Sequence, residues 1–332
     1  MWLLMLSGAT EQGLLYGLMA IGVYLTFRVL NYADLTVDGS FALGASISAR
    51  LIFDGGDPWV ATALAAAGGI AAGMATGFLH TKLKIAPLLA GILSMTALYS
   101  VNLRVMGRAN VPLLGVRTIV SDVTGALPAW LVSFAALLLG GVAVALAIFG
   151  LNRYLHTEAG LALQATGDNE RMSRSLGINT DRMKIVGLAL SNGLVAVSGA
   201  LVAQYQGFAD AGMGIGTIIA GLASVIIGEA LLGSGSVARA LVAAMAGSLI
   251  YRLAIALVLR LGLAPTDLKL LTALLVIVAL ASPRLKARLR LSSVVAATGD
   301  VNPTGDANPP GDAASPAVGS TSAQTKQVGA NK

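Results

Sequence analysis

Long apolar runs separated by short polar breaks dominate the first 290 residues. Segments rich in Ala, Leu, Val, Ile and Gly occupy 12–29, 40–53, 59–79, 85–103, 130–150, 184–206, 214–232, 237–259 and 267–282. About 20 apolar residues suffice to cross the hydrocarbon core of a bilayer. Most of these runs are near that length, and 40–53, 214–232 and 267–282 are the shorter ones. The pattern predicts an all-α polytopic integral membrane protein with about nine transmembrane helices, within a range of eight to ten. From 291 to 332 the chain is Gly, Pro, Ala, Ser, Asn and Thr with few large apolar residues, a composition that predicts disorder. The expected division is a membrane domain, 1–290, and a tail, 291–332. The opening MWLLMLSGATEQ lacks the basic start of a cleavable signal and is read as part of the mature chain.

One polar break is different in kind. QATGDNERMSRSLGINTDRMK, 164–184, gathers Asp168, Asn169, Glu170, Arg171, Arg174, Asn179, Asp181, Arg182 and Lys184 between two apolar runs. It reads as a short helix over 169–176. Asp168 or Asn169 supplies the N-cap, because their side-chain oxygens accept the free N–H groups of a first turn. Glu170 and Arg174 stand at i,i+4 in the favourable order. Gly177 follows where a left-handed residue ends a helix. Met172 and Leu176 leave an apolar stripe beside Arg171 and Arg174. Such a segment is either a docking surface or a solvated loop.

Composition agrees with the membrane reading. Of 332 residues 56% are hydrophobic and 11% charged, with mean hydropathy +0.79; soluble domains carry about 25% charged residues. The net charge of +6 is attributed to cytoplasmic loops rather than to nucleic-acid binding. The chain has no cysteine, which excludes disulfides, thiolate catalysis and thiolate metal sites. His80 and His156 fall in separate loops and form no ligand pair, so no metal site is expected. No GxxxxGK[ST] phosphate cradle occurs and no nucleophile setting is evident, so no catalytic residue is assigned and the chain is not expected to be an enzyme.

Basic residues set the orientation. If 150–184 faces the cytoplasm, thirteen loop Arg and Lys residues lie inside and six outside, in accord with the positive-inside rule. The N-terminus is then outside and the C-terminus inside. The loop 104–129 is the longest outer one, with Pro112 and Pro128 limiting helix there.

ADLTVDGSFALGAS at 33–46 and ADAGMGIGTIIAGLAS at 209–224 share an Ala-Asp pair, a Gly-Ser or Gly-Thr, and a further Gly. With the orientation above, the first copy starts at the inner face and the second at the outer face. Short glycine-interrupted segments in inverted halves point to a translocation site. On this reading Ser40, Gly44, Thr217 and Gly221 line a pathway, joined by Asn192 and Ser198 from 184–206. Ser40 and Thr217 lie near helix N-termini, which favour an anionic group such as a carboxylate. Packing of small residues between helices explains the same pattern without a substrate. Glu229 has Arg239 as a candidate partner, Arg252 snorkels outward or faces a partner, and Asp34 and Asp38 are read as capping or pairing groups at the cytoplasmic turn. No carboxylate or histidine stands clearly at mid-depth, which counts against an ion-coupled carrier.

Two stretches carry a family resemblance. GDNERMSRSLGINTDRMKI resembles the cytoplasmic coupling segment of ABC importer permeases of the branched-chain amino acid and ribose type, and RVLNYADLTVDGSFALGA at 28–45 resembles their first cytoplasmic turn and second helix. The likeness covers roughly 10–290 and is nearest a subgroup associated with amino-acid uptake, aromatic amino acids included. It implies a permease subunit of a bacterial cytoplasmic (inner) membrane importer, moving a small polar solute such as an amino acid. The coupling segment would be about 153–183. Gly167, Asp168, Asn169, Glu170, Arg171, Met172, Arg174, Leu176, Gly177, Ile178 and Arg182 would engage the ATPase. The implied partners are ABC ATPase subunits carrying ATP and Mg, an extracytoplasmic substrate-binding protein and a second permease subunit, most simply an identical chain. The permease itself would bind no cofactor. The competing readings are an ion-coupled secondary transporter and an ABC permease for a sugar or nucleoside.

Overall fold

A computed structural model describes residues 2–128, 131–233 and 235–260, with four further positions between 270 and 277. The run expected over 267–282 falls largely outside the described residues, and the tail 291–332 entirely so. The elements are α1 (Trp2–Tyr24), which continues as a π-helical turn (Leu25–Val29), then α2 (Thr36–Phe53), α3 (Pro58–Thr81) and α4 (Pro87–Met106). Strand β1 (Asn110–Pro112) and α5 (Ile119–Ala126) precede α6 (Ala135–Leu155), α7 (Glu158–Asp168) and α8 (Glu170–Ser175). After α9 (Thr180–Gln206) come β2 (Phe208–Asp210), α10 (Thr217–Leu232) and α11 (Val237–Arg260).

Among the described residues, six helices are long and apolar enough to cross a membrane: Met5–Val29, α3, α4, α6, α9 and α11. The chain is an all-α multi-pass membrane protein. Helices start where local chemistry allows. Asp57 caps α3 by accepting from the N–H groups of Trp59 at 2.9 Å and Val60 at 3.2 Å, with Pro58 at the first helical position. The loop expected to resist helix contains α5 nonetheless, because Thr118 and Ser121 form a reciprocal capping box between the two prolines. β1 pairs antiparallel with β2, Val111 opposite Ala209.

The bundle centres on α9, which packs against α1, α2 and α3. On α3 the small residues Ala65, Gly69, Gly73 and Gly77 recur every fourth position and are buried; Gly69, Gly73 and Gly77 sit directly on the α9 backbone. Small residues allow this approach, and in lipid the resulting van der Waals contact is the main source of helix association. α1 packs on α11 as α9 packs on α3, and α2 packs on α3 as α10 packs on α11. The duplicated Ala-Asp copies repeat one local geometry. Asp34 Oδ1 accepts from Thr36 N at 2.9 Å, and Asp210 Oδ1 accepts from Gly212 N at 2.8 Å, the same turn ahead of each short helix.

The two short helices start inside the bundle, not at its faces as expected. Asp34 meets Asn192, twelve residues beyond the start of the 27-residue α9 and so about 18 Å along it. From there α2 runs toward the β1–β2 end, where Ser48 meets Gln204. α10 runs the other way, toward Glu229 and Arg28. Their N-termini meet at Asp38.

Candidate functional site

Helix α8 follows from its capping residues. Asn169, of the two candidates, is the N-cap: its Oδ1 accepts from Met172 N at 3.1 Å. Asp168 is instead the exposed last residue of α7. At the other end Gly177 N donates to Arg174 O and Ile178 N to Ser173 O, both at 3.0 Å, with Gly177 at φ 83°. That is the double-bonded left-handed stop that glycine favours. Six residues are too few to hold a helix by propensity alone, so the side chains around it matter. Arg174 donates to Glu170 at 2.8 Å, to Thr180 at 2.8 Å and to Asp181 at 3.2 Å. Lys184 donates to Glu170 at 2.8 Å, and Lys82 and Lys84 stand 4.0 and 3.8 Å from Asp181. The Lys184 hydrogen bond first, then the charges of Lys184 and Arg174, hold the Glu170 carboxyl below the usual carboxylate range. His80 Nδ1 faces the Ile85 carbonyl at 2.8 Å, so that nitrogen carries the proton, and Nε2 receives the Lys184 ammonium at 3.3 Å.

This network separates two groups of the expected coupling residues. Glu170 and Arg174, with side chains 38% and 53% exposed, make the ion pairs and hydrogen bonds that fix the helix. Arg171, Met172, Leu176 and Arg182 are exposed, with Met172 at 59% and Leu176 at 68%. Two large apolar side chains four residues apart thus project from a helix whose base is pinned by ions. Gly167 seats the segment: a Cβ there would overlap the Val29 carbonyl oxygen at the π-helical turn. Clefts flank this contact, one of about 660 Å³ between the end of α1 and α7, the other of about 460 Å³ between Tyr32, His80 and α8. Helix α7 is a separate element ahead of α8, with Asn169 between them. Its signal is Thr157, whose Oγ1 accepts from Gly160 N at 3.3 Å.

The six pathway candidates lie on α2, α9 and α10. Ser40 is fully buried in the second turn of α2, not at its cap, and its Oγ has no partner among the described residues. Gly44 lies on the Ala196 carbonyl of α9, and a Cβ on Gly221 would come within 2.8 Å of Val23 on α1. Ser198 donates to Leu15 O at 2.7 Å. Asn192 donates to Asp34 at 2.7 Å and to Leu188 O at 2.9 Å. Thr217 is the first residue of α10, as expected, and donates to Asp38 at 2.9 Å. These are interhelical and capping contacts.

Several charged groups stand differently from expectation. The anion at the α10 N-terminus is the protein's own: Asp38 accepts from Gly216 N at 2.9 Å and Ile218 N at 2.8 Å besides Thr217. A substrate carboxylate therefore finds that helix end occupied. Asp34 and Asp38 do cap, but buried within the bundle at 2% and 8% exposure rather than at a cytoplasmic turn. Asp34 is thus a carboxylate about halfway along α9, where the pattern of the chain predicts none. Glu229 pairs with Arg28, whose Nε donates at 2.8 and 3.0 Å, and not with Arg239, because the π-helical turn brings α1 alongside the end of α10. Arg252 lies over the Tyr16 ring, 3.4 Å from its centroid.

Comparison with known proteins is consistent across most of the chain. Residues 5–281 match the family described as branched-chain amino acid transport system / permease component. A tyrosine transport system permease protein of Clostridioides difficile (strain R20291) is 42% identical over 279 residues, covering 84% of this chain and 91% of that one. An uncharacterized protein of Rickettsia prowazekii (strain Madrid E) is 34% identical over 278 residues, 82% of this chain and 96% of that one. The ribose import permease protein RbsC of Escherichia coli (strain K12) is 25% identical over 233 residues, 68% and 69% of the two chains. No solved structure matches.

Proposed function

Since the chain belongs to the branched-chain amino acid transport permease family, and is the membrane subunit of an ABC importer rather than an enzyme, we propose that it imports an amino acid and that α8 is where its ATPase takes hold. The observation carrying the docking reading is the exposed Met172–Leu176 pair on a helix pinned by Asn169, Gly177 and the Glu170–Arg174–Lys184 ion network. Exposed apolar side chains on a rigid, charged-rimmed base have the composition of a protein interface centre. Seating of Gly167 on Val29 gives a direct contact through which movement of α7 and α8 would reach α1.

Permeases of this family work with an ATPase and a binding protein. For this chain the specific assembly is two identical permeases, two ATPases binding ATP and Mg, and an extracytoplasmic binding protein, in the inner membrane of a bacterium. The α8 end faces the cytoplasm. Lys82, Lys84, Arg171, Arg174, Arg182 and Lys184 around α8 support that orientation. ATP would drive the cycle only if the ATP-bound ATPase favours one permease state over the other.

The amino-acid assignment is supported by the 42% identity to a tyrosine permease, against 25% to a ribose permease. The buried Asp34 is the feature an ion-coupled carrier would use. Here it accepts from Thr36 and Asn192, and family membership puts energy coupling in a separate ATPase. Purification of the chain with its ATPase, followed by uptake of labelled amino acids into proteoliposomes, tests the reading. Co-purification with ATP-dependent amino-acid uptake is expected; uptake of ribose alone would reject the solute assignment, and uptake without any ATPase would reject the ABC mechanism.

A further inference from the structure

The larger of the two clefts beside Gly167, about 660 Å³, opens between the π-helical end of α1 and the last turns of α7. At ~30 Å³ per water it holds about twenty waters, room for more than one side chain. Tyr24, Phe27, Arg28, Asn31, Gln164 and Asp168 line it. Of these, Phe27, Arg28, Asn31 and Asp168 are exposed and so open to a partner.

The charge of the cleft follows from which groups are already paired. Arg28 donates to Glu229 from Nε at 2.8 and 3.0 Å and from Nη2 as well, so those two charges cancel. Asp168 has no hydrogen-bond or ionic partner among the described residues. Gln164 uses its Nε2 on Leu155 O at 2.7 Å, and its Oε1 accepts from no described residue. Asp168 ends α7 and stands two residues ahead of α8. The negative end of one helix and the positive end of the other offset there, at about half a charge each. The full charge of the carboxylate remains. Arg171 and Lys184 line the neighbouring cleft, not this one. The opening is therefore acidic and faces a Phe27 ring that is 39% exposed. A cation with an apolar stem suits both features, because the ring attracts the charge and packs on the methylenes. The same carboxylate disfavours a phosphate or an anionic lipid headgroup.

We propose that this cleft is a second contact for the ATPase, receiving an arginine or lysine side chain of that partner, its charged head at Asp168 and its stem along Phe27. The proposal rests on the α8 docking reading and extends it to α1. Four residues separate Asp168 from Met172, at most about 14 Å of chain. That is well within a standard interface of roughly 800 Å² per side. A pull at the cleft would act on α1 directly, and on α10 through the Arg28–Glu229 pair.

Photochemical capture tests the contact in the assembled importer. Phe27→p-benzoyl-L-phenylalanine exchanges one aromatic side chain for another, and Met172→p-benzoyl-L-phenylalanine is the reference on α8. Irradiation in proteoliposomes should join both positions to the ATPase. If Met172 captures the ATPase while Phe27 captures only lipid, permease or nothing, the second contact is overturned and the α8 reading stands. Capture from neither position removes both. The fraction of ATPase retained on purification reads the charge. Asp168→Lys should cut it at least about fivefold, with Asp168→Asn between lysine and wild type. Asp168 is exposed and without a partner, so both variants should melt at the wild-type temperature; if the lysine variant melts lower, the asparagine variant decides. Added salt should weaken retention of the wild type more than that of Asp168→Asn. Equal retention in wild type and Asp168→Lys, or equal salt dependence in wild type and Asp168→Asn, would contradict a cationic partner.

Discussion

Gly167, in the last turn of α7, rests directly on the Val29 carbonyl at the π-helical end of α1, with no space for a side chain between them. Gly177, ten residues on, has open space around it but a left-handed backbone at φ 83°. The two glycines are needed for different reasons, and substitution separates them. Gly167→Asn should fail, because overpacking against backbone costs about 1–3 kcal/mol. Gly177→Asn should be tolerated, because asparagine visits the left-handed region. Thermal unfolding in detergent checks both: a drop of several degrees is expected for the first and little change for the second.

The Arg28–Glu229 pair joins the ends of α1 and α10. Glu229 is largely buried, at 11% side-chain exposure, while Arg28 is half exposed at 51%. Removing the arginine leaves a nearly buried carboxylate unpaired, which costs more than the pair itself contributes. Arg28→Glu should therefore destabilise and impair uptake more than Glu229→Gln. The double exchange Arg28→Glu with Glu229→Arg should recover a measurable part of both, read as detergent melting temperature and uptake rate.

Asp38 caps a helix that is not its own. Asp38→Ala removes the acceptor for Gly216, Thr217 and Ile218 and should cost about 1–2 kcal/mol, the upper range for loss of an N-cap. Asp38→Asn keeps one acceptor oxygen and should fall between alanine and wild type. Melting temperatures of the three proteins should rank in that order; equal values would mean α10 is held by packing alone.

Much of this was legible in the chain. Asn169, Glu170, Arg174 and Gly177 act within one helix, so their spacing alone predicts cap, ion pair and stop. The Ala-Asp repeat was legible too, and its shared turn at Asp34 and Asp210 gives it physical content. Partners distant in sequence were not. Glu229 was matched with Arg239, ten residues away, when its partner Arg28 lies 201 residues off. Asp38 looked like part of a surface turn because nothing local reveals that α2 starts within the bundle. Gly44 and Gly221 pack closely against neighbouring helices, and since small residues serve close packing and wet cavities alike, spacing alone does not separate the two readings.

Orientation is open to a direct check, again because no cysteine is present. Leu114 is 85% exposed near the β1–β2 end and Arg171 is exposed on α8. Leu114→Cys should react with an impermeant thiol reagent added to intact cells, and Arg171→Cys only after permeabilisation. The reverse pattern would place α8 outside and end the docking account.

The central claim is that α8 passes the ATPase stroke to the membrane helices. Met172 is its most pointed test, because the side chain is 59% exposed on α8. Met172→Asp would set a carboxylate into an apolar interface, where desolvating it is costly, while leaving the Glu170–Arg174–Lys184 network in place. The measurement is ATP hydrolysis by the importer in proteoliposomes, with and without solute-loaded binding protein. The account predicts normal membrane levels of the variant and loss of the stimulation that the loaded binding protein gives the wild type. Full stimulation in Met172→Asp would contradict it.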